Sequence, residues 1–313
     1  MDFISQTEIS KAKILVVGDA ILDCYWTGEV ERISPEAPVP ITNIVKEKFF
    51  PGGASNTAIN ITSLGANATF ISCIGNDKYG LILKKLLKEK NLRCLTSCKE
   101  NIETTRKIRL VAKNQQMMRI DFNRYVDEES NLYSLKFFEK EINEHDLVII
   151  SDYDYGGVRN AKEMIKIARN KKKITIVDPK MKNYENYRGA SIITPNLKEL
   201  RNVIGDWNSE DELKNLVDNL RKKYEIESVL LTRSKDGMTL FNSEGSKSIN
   251  SKVVEVSDVT GAGDSVVAIM GVLIACGFST YISMLYANHA ASIIVSRFGT
   301  SSISFEELIS FND

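Results

Sequence analysis

The sequence predicts an α/β protein, a three-layer α/β/α sandwich built on a mainly parallel central sheet and carrying a small β-flap. Short β-branched runs alternate with helix-length amphipathic segments along the 313 residues, the pattern of a parallel sheet covered by helices on both faces. Two stretches, 30–50 and 104–122, break that rhythm by alternating polar with apolar residues, as strands with one wet face do. No low-complexity linker or internal repeat interrupts the chain, so residues 1–313 read as one domain.

In chain order, the strands are expected at "KILVVG" (13–18), "ATFISCIG" (68–75), "DLVIIS" (146–151), "KITIVD" (173–178), "ASIIT" (190–194) and "SVLLT" (228–232). Helix-length patterns lie between them: "SNTAINITSLG", "DKYGLILKKLLKEKN", "GVRNAKEMIKIARNKK" and "SEDELKNLVDNLRKKY". Ligands then belong at the carboxyl ends of the strands. The flap, with strands within 27–50 and 102–123 and turn-formers at Pro35, Pro38, Pro40 and Asn114, is expected as antiparallel strands outside the main sheet. A pair of peripheral hairpins without function is the plain alternative.

Composition narrows the function. With 43% hydrophobic residues the chain can bury a sizeable core, and Lys+Arg and Asp+Glu are both 41. No net field then favours nucleic acid or an anionic membrane, and anion recognition falls to placed residues. The polar N-terminus and a longest apolar run, Val266 to Phe278, shorter than the ~20 residues that span a bilayer lead to a cytoplasmic expectation. Five cysteines without a secretory signal read as reduced thiols. Cys94 and Cys98 stand four apart, but His145 and His289 are isolated from them, which argues against zinc.

Five motifs carry chemistry. In "DVTGAGDS" (258–265), which runs into an apolar helix, the backbone amides from Gly261 through Ala262 and Gly263 to Asp264 are expected to point outward as an anion site, with the Asp264 carboxylate beside it. A phosphoryl acceptor needs such a base next to such donors; a plain helix start is the alternative. The spacing is neither G-x-G-x-x-G nor a P-loop. "VVGDAILD" places Asp19 and Asp23 beyond the first strand, as acceptors for hydroxyl groups or as a cap and a solvated charge. "PGGASN" offers Gly52 and Gly53 for close backbone approach and Asn56 as donor and acceptor. "ITPNLKEL" sets Asn196 and Glu199 on one helical face, able to hold the water shell of Mg²⁺ or simply to start a helix. "LLTRSKDGM" presents Thr232, Arg233 and the Gly237 turn to a nucleotide, or forms an ordinary hairpin.

Taken together, "PGGASN" (51–56) and "VTGAGDS" (259–265) make the chain resemble the PfkB, or ribokinase-like, family of carbohydrate kinases over essentially its whole length. "RISPEAPVP" (32–40), "NQQMMRIDF" (114–122), "SDYDYGGV" (151–158), "YRGASIITPNLKE" (187–199) and "GTSSIS" (299–304) resemble its D-glycero-β-D-manno-heptose-7-phosphate kinase branch, the kinase part of the bifunctional heptose enzymes of lipopolysaccharide biosynthesis. The resemblance implies ATP and Mg²⁺ as cofactors and Asp264 as catalytic base. It implies Gly261 to Gly263 as anion hole and Asn196 with Glu199 as the Mg·ATP site, extended by Thr232, Arg233, Gly237, Thr260 and Asn288. Asp19, Asp23, Gly52, Gly53 and Asn56 fall on sugar-binding positions. The expected reaction phosphorylates the anomeric hydroxyl of heptose 7-phosphate. A kinase for another sugar, sugar phosphate or nucleoside, and a non-catalytic sensor on the same fold, are the competing readings. The chain lacks the H-x-G-H motif of the bifunctional relatives, so the nucleotidyl transfer is expected on a separate protein.

The flap raises two more expectations. Lys107 and Arg109 share one strand face by the period of two, and Arg119 returns on the next strand. Three cations there read as a site for the substrate phosphate, or as a solvated face. Exposed flap edges are expected to pair in a homodimer.

Overall fold

The structure, a computed structural model, describes residues 4–90, 92–97, 102–113, 115–180, 182–252, 255–297 and 299–310. The expected turn at Asn114 and the residue Cys98 lie outside them. In chain order the strands are β1 (Lys13–Gly18), β2 (Ala20–Ile33), β3 (Pro40–Gly53), β4 (Asn67–Cys73), β5 (Arg93–Ser97), β6 (Arg106–Ala112) and β7 (Gln115–Phe122). There follow β8 (Leu147–Ser151), β9 (Ile174–Asp178), β10 (Ile192–Ile193), β11 (Ser228–Thr232), β12 (Met238–Asn242) and β13 (Gly245–Ile249).

Among the described residues, nine strands form the main sheet in the order β13-β12-β11-β10-β9-β8-β1-β4-β5. The pairs from β11 through to β5 are parallel, and β12 and β13 close one edge as antiparallel strands. β1 is apolar on both faces because both are covered: Ile14 and Val16 pack in one core, Leu15 and Val17 in the other. The first core takes the helices Ala54–Ser63, Ala262–Ala275 and Thr280–Val295, and the second takes Ala161–Asn170 and Glu210–Tyr224. Helix Ala262–Ala275 is buried from Asp264 to Ile274, as a helix apolar all round must be. From β1 the chain steps outward through β4 and β5, then returns to β8 and steps the other way. That reversal opens a crevice at the carboxyl ends of β1 and β8, where open α/β sheets bind ligands.

The second sheet has the order β3-β2-β6-β7. It differs from the sequence expectation in two ways. β2 and β6 pair in parallel, so the flap is two antiparallel hairpins joined side by side rather than antiparallel throughout. It also begins at Ala20, because the first turns of β2 are buried on both faces and so lack the alternation that marks an exposed strand. Among the described residues no helix is long and apolar enough to cross a membrane. Cys24, Cys94 and Cys276 are free thiols.

Candidate active site

Two helix N-termini meet at the crevice. Both are capped by a glycine with positive φ, Gly53 (58°) before Ala54–Ser63 and Gly261 (80°) before Ala262–Ala275, a conformation that costs glycine little. Asn56 and Asp264 occupy the same position in the first turn of each, and Asn56 Nδ2 donates to Asp264 Oδ2 at 2.9 Å. A Cβ at residue 261 would lie 2.6 Å from Asn56 Nδ2, so the turn and the amide fit only with glycine there. The other carboxylate oxygen accepts from Tyr153 Oη at 2.7 Å and lies 3.5 Å from Thr57 Oγ1. Burial pushes the Asp264 carboxyl up to about 6, against the pull of Asn56 and Tyr153. A base poised there is ionised at neutral pH yet retains proton affinity.

Of the four amides expected to face outward, that of Ala262 instead donates to the Val259 carbonyl at 3.3 Å, because the turn closes on itself. With no side-chain cap, the first-turn amides of Gly263 and Asp264 and that of Gly261 are the ones placed for an anion. They face a cavity of about 210 Å³ lined by Tyr153, Asp178, Lys180, Asn196, Glu199 and Thr232 together with Asp264.

The two expected nucleotide residues Asn196 and Glu199 do reach this cavity, as a capping box. Asn196 Oδ1 accepts from the Glu199 amide at 2.9 Å and Glu199 Oε2 accepts from the Asn196 amide at 2.9 Å, while Glu199 Oε1 pairs with Lys180. Both Glu199 oxygens are thus engaged within the fold. Burial lowers Lys180, but Glu199 outweighs it and the ammonium is held above its ordinary value. Asp178, half-buried at the end of β9, is pushed well up by desolvation and then by Glu199. Arg233, Gly237, Thr260 and Asn288 do not line the cavity. Arg233 forks onto Glu210 at 2.7 Å through both terminal nitrogens, and Gly237 turns the β11–β12 hairpin. The Thr260 amide and hydroxyl donate to Asp258, and Asn288 donates to the Asn250 carbonyl at 2.9 Å.

On the flap side, Asp19 holds a loop: its carboxylate accepts from the amides of Tyr153 (2.9 Å), Tyr155 (3.3 Å) and Gly157 (2.8 Å). Asp23 is ion-paired with Arg109, both side chains being buried. Gly52 makes room for that pair, since a Cβ there would lie 2.1 Å from Asp23 Oδ2. The expected cluster of three flap cations is therefore divided. Arg109 and Arg119 are cross-strand partners, yet Arg109 is committed to Asp23 and Arg119 to Asp121 at 2.9 Å. Only Lys107 among them makes no ion pair within the described residues. It is half-buried, with Nζ 5.3 Å from the Tyr153 ring centroid, and burial lowers its pKa.

The pfkB family carbohydrate kinase model matches residues 11–307. The chain belongs to the pfkB family of carbohydrate kinases. It is 39% identical over 300 residues to a D-beta-D-heptose 7-phosphate kinase from Bordetella bronchiseptica, covering 96% of each. It is 37% identical over 299 residues to a bifunctional protein HldE from Coxiella burnetii, of whose length the chain spans 63%. Among solved structures, phosphofructokinase-2 from Escherichia coli in complex with potassium superposes with TM-score 0.80 at 20% identity, over 96% of this chain and 97% of that one. Arabidopsis thaliana ribokinase complexed with ribose and ATP gives 0.76 at 18% identity, over 96% and 98%. These two show a shared ribokinase-like fold.

As a pfkB kinase the protein is a phosphotransferase acting on an alcohol group. Its cavity contains polar residues to which the sequence motifs gave no role, among them Tyr153, Asp178 and Lys180. Tyr153 sits in "SDYDYGGV", and Asp178 and Lys180 stand in "VDPK" just past a strand end, the position where ligands gather. That placement was the available signal.

Proposed function

We propose that this kinase transfers the γ-phosphoryl group of ATP to the anomeric C1 hydroxyl of D-glycero-D-manno-heptose 7-phosphate, giving the 1,7-bisphosphate on the way to ADP-heptose. The buried Asp264 carboxylate, held beside the open amides of its own helix, carries the reading; identity with the Bordetella bronchiseptica heptose kinase over nearly the full length of both chains supports the choice of sugar. Asp264 takes the proton of the acceptor hydroxyl as that oxygen bonds the γ-phosphorus and the bond to ADP breaks. The amides of Gly261, Gly263 and Asp264 receive the charge on the transferred group.

ATP phosphates fit the cavity between that turn and Lys180, with Thr232 and Asn196 on its wall. Mg²⁺ prefers oxygen ligands and keeps several waters. Among the described residues no three His, Cys, Asp or Glu side chains converge on an ion, but Asp178, Asn196 and Glu199 together suit a hydrated one. Mg²⁺ bound there supplies neutralising charge to the phosphates. Asn56 and the Gly52–Gly53 backbone border the sugar side, where Lys107 is the cation open to the 7-phosphate. The flap exposes Ile44, Val45, Met117 and Met118 on its outer strands, which supports pairing of two flaps in a dimer.

The test is ATP turnover by the purified protein against a panel of phosphorylated and unphosphorylated sugars and nucleosides. Selective turnover with the heptose 7-phosphate and a 1,7-bisphosphate product is expected. Preference for another acceptor would move the assignment elsewhere in the family, and binding without turnover would favour a sensor.

A further inference from the structure

The contact least explained by the proposed reaction is the one made by Tyr153. Its hydroxyl donates to Asp264 Oδ1 at 2.7 Å, within the 2.6–3.2 Å that a general base must have to its own substrate proton. Oδ2 is already engaged by Asn56 and Thr57 stands near Oδ1, so Tyr153 holds an oxygen that an incoming hydroxyl needs. Its ring also lies between the two substrate regions: Lys107 Nζ of the flap is 5.3 Å from the centroid and Lys180 Nζ of the cavity 5.6 Å. The residue is not a loose surface group. Its amide is fixed by Asp19, which clamps the loop at three points, so displacing the hydroxyl calls for rotation of the side chain rather than movement of the backbone.

We infer that Tyr153 is a gate on the base: in the sugar-free enzyme its hydroxyl occupies the acceptor position on Asp264, and the sugar hydroxyl displaces it. This rests on the reading of Asp264 as the base. The gate has a chemical purpose. Water in the sugar's place would give its proton to Asp264 while its oxygen bonded the γ-phosphorus and the bond to ADP broke, wasting ATP. A phenol on the base denies water that proton acceptor, and only a ligand bound through several contacts replaces it.

The groups facing Asp264 are few and named: Asn56 and Thr57 from the helix Ala54–Ser63, Asp23 from β2, Tyr153, and Asp178 with Lys180 beyond β9. Removing the phenol oxygen changes just one of them. The experiment compares the wild-type chain with Tyr153→Phe, Asp264→Asn and the double variant, with Mg²⁺ and ATP, without sugar and with heptose 7-phosphate. Tyr153→Phe should raise sugar-free ATP hydrolysis about tenfold, and adding Asp264→Asn should remove the gain. Loss of the donor should also move the acid limb of kcat/KM for the sugar up by about one pH unit, since that limb reports the free enzyme. The limb of kcat, which reports the complex, should stay. Unchanged hydrolysis, a gain that survives Asp264→Asn, or limbs that move together or not at all would overturn the gate. Sugar phosphorylation persisting in Asp264→Asn alone would instead overturn the base assignment.

Discussion

Replacing Arg109 with methionine should cost stability first and sugar affinity second. The Asp23 and Arg109 side chains are 5% and 8% exposed and form an ion pair, so this is not a surface bridge of about 0–1 kcal/mol. Removing one partner of a buried pair strands the other, at about 3–5 kcal/mol, a large part of the roughly 5–15 kcal/mol that holds a domain together. Asp23 cannot turn away, because Gly52 packs directly on it. It can only take up a proton. Burial already raises its carboxyl above the ordinary value, with Arg109 pulling it down, so loss of Arg109 raises it further. A carboxyl raised in the folded state contributes stability at low pH that is lost as pH climbs through its folded pKa. The deficit of Arg109→Met against wild type should therefore widen as pH rises from about 4 to about 8. Urea unfolding of the wild type, Arg109→Met, Asp23→Asn and the double variant gives the coupling, expected at about 2 kcal/mol. A cost below about 1 kcal/mol, or additive single effects, would refute the buried-pair reasoning and return Arg109 to the phosphate-gripping role.

Asp264→Asn should leave the fold and ATP binding intact and lower turnover by about 10²–10⁴; near-wild-type turnover would remove it from the mechanism. Because the base must be ionised to accept a proton, kcat/KM in the wild type should fall as pH drops below about 6, and a profile flat through that region would argue against Asp264. Lys107→Ala should raise KM for the 7-phosphorylated sugar roughly tenfold or more, the value of one charge-assisted contact, while sparing ATP and an unphosphorylated analogue. Equal losses on both sugars would point to flap folding instead. Light scattering should find a dimer that Val45→Glu or Met118→Glu splits, and a fully active monomer at working concentration would count against paired flaps.

The readable parts of the site were those whose chemistry is contiguous in the chain. The turn before the apolar helix at 262–275 and its Asp264 stand in one short motif, and the Asn196–Glu199 spacing already contained the capping box as its plainer reading. Tyr153 stands in "SDYDYGGV" with no role legible from the sequence, because its partner Asp264 lies 111 residues away. Lys107, Arg109 and Arg119 were rightly placed on one face by the period of two, yet their face did not reveal their partners: Arg109 meets an aspartate 86 positions earlier. β5 and β13, the two edge strands of the main sheet, are too short and too polar to stand out in the sequence, and β12 is legible only as the second arm of a plain hairpin at Gly237.

By itself the sequence determined the layered α/β class, the strand ends where the site gathers, and the family, since hydrophobic period, turn chemistry and motif are local properties of a chain. Only the tertiary structure decided which charges are free to meet a substrate. Asp23 with Arg109, Lys180 with Glu199, and Tyr153 with Asp264 are brought together by elements distant in the chain, and for Asp23 with Arg109 burial makes the pairing obligatory: a desolvated charge must find its partner within the fold.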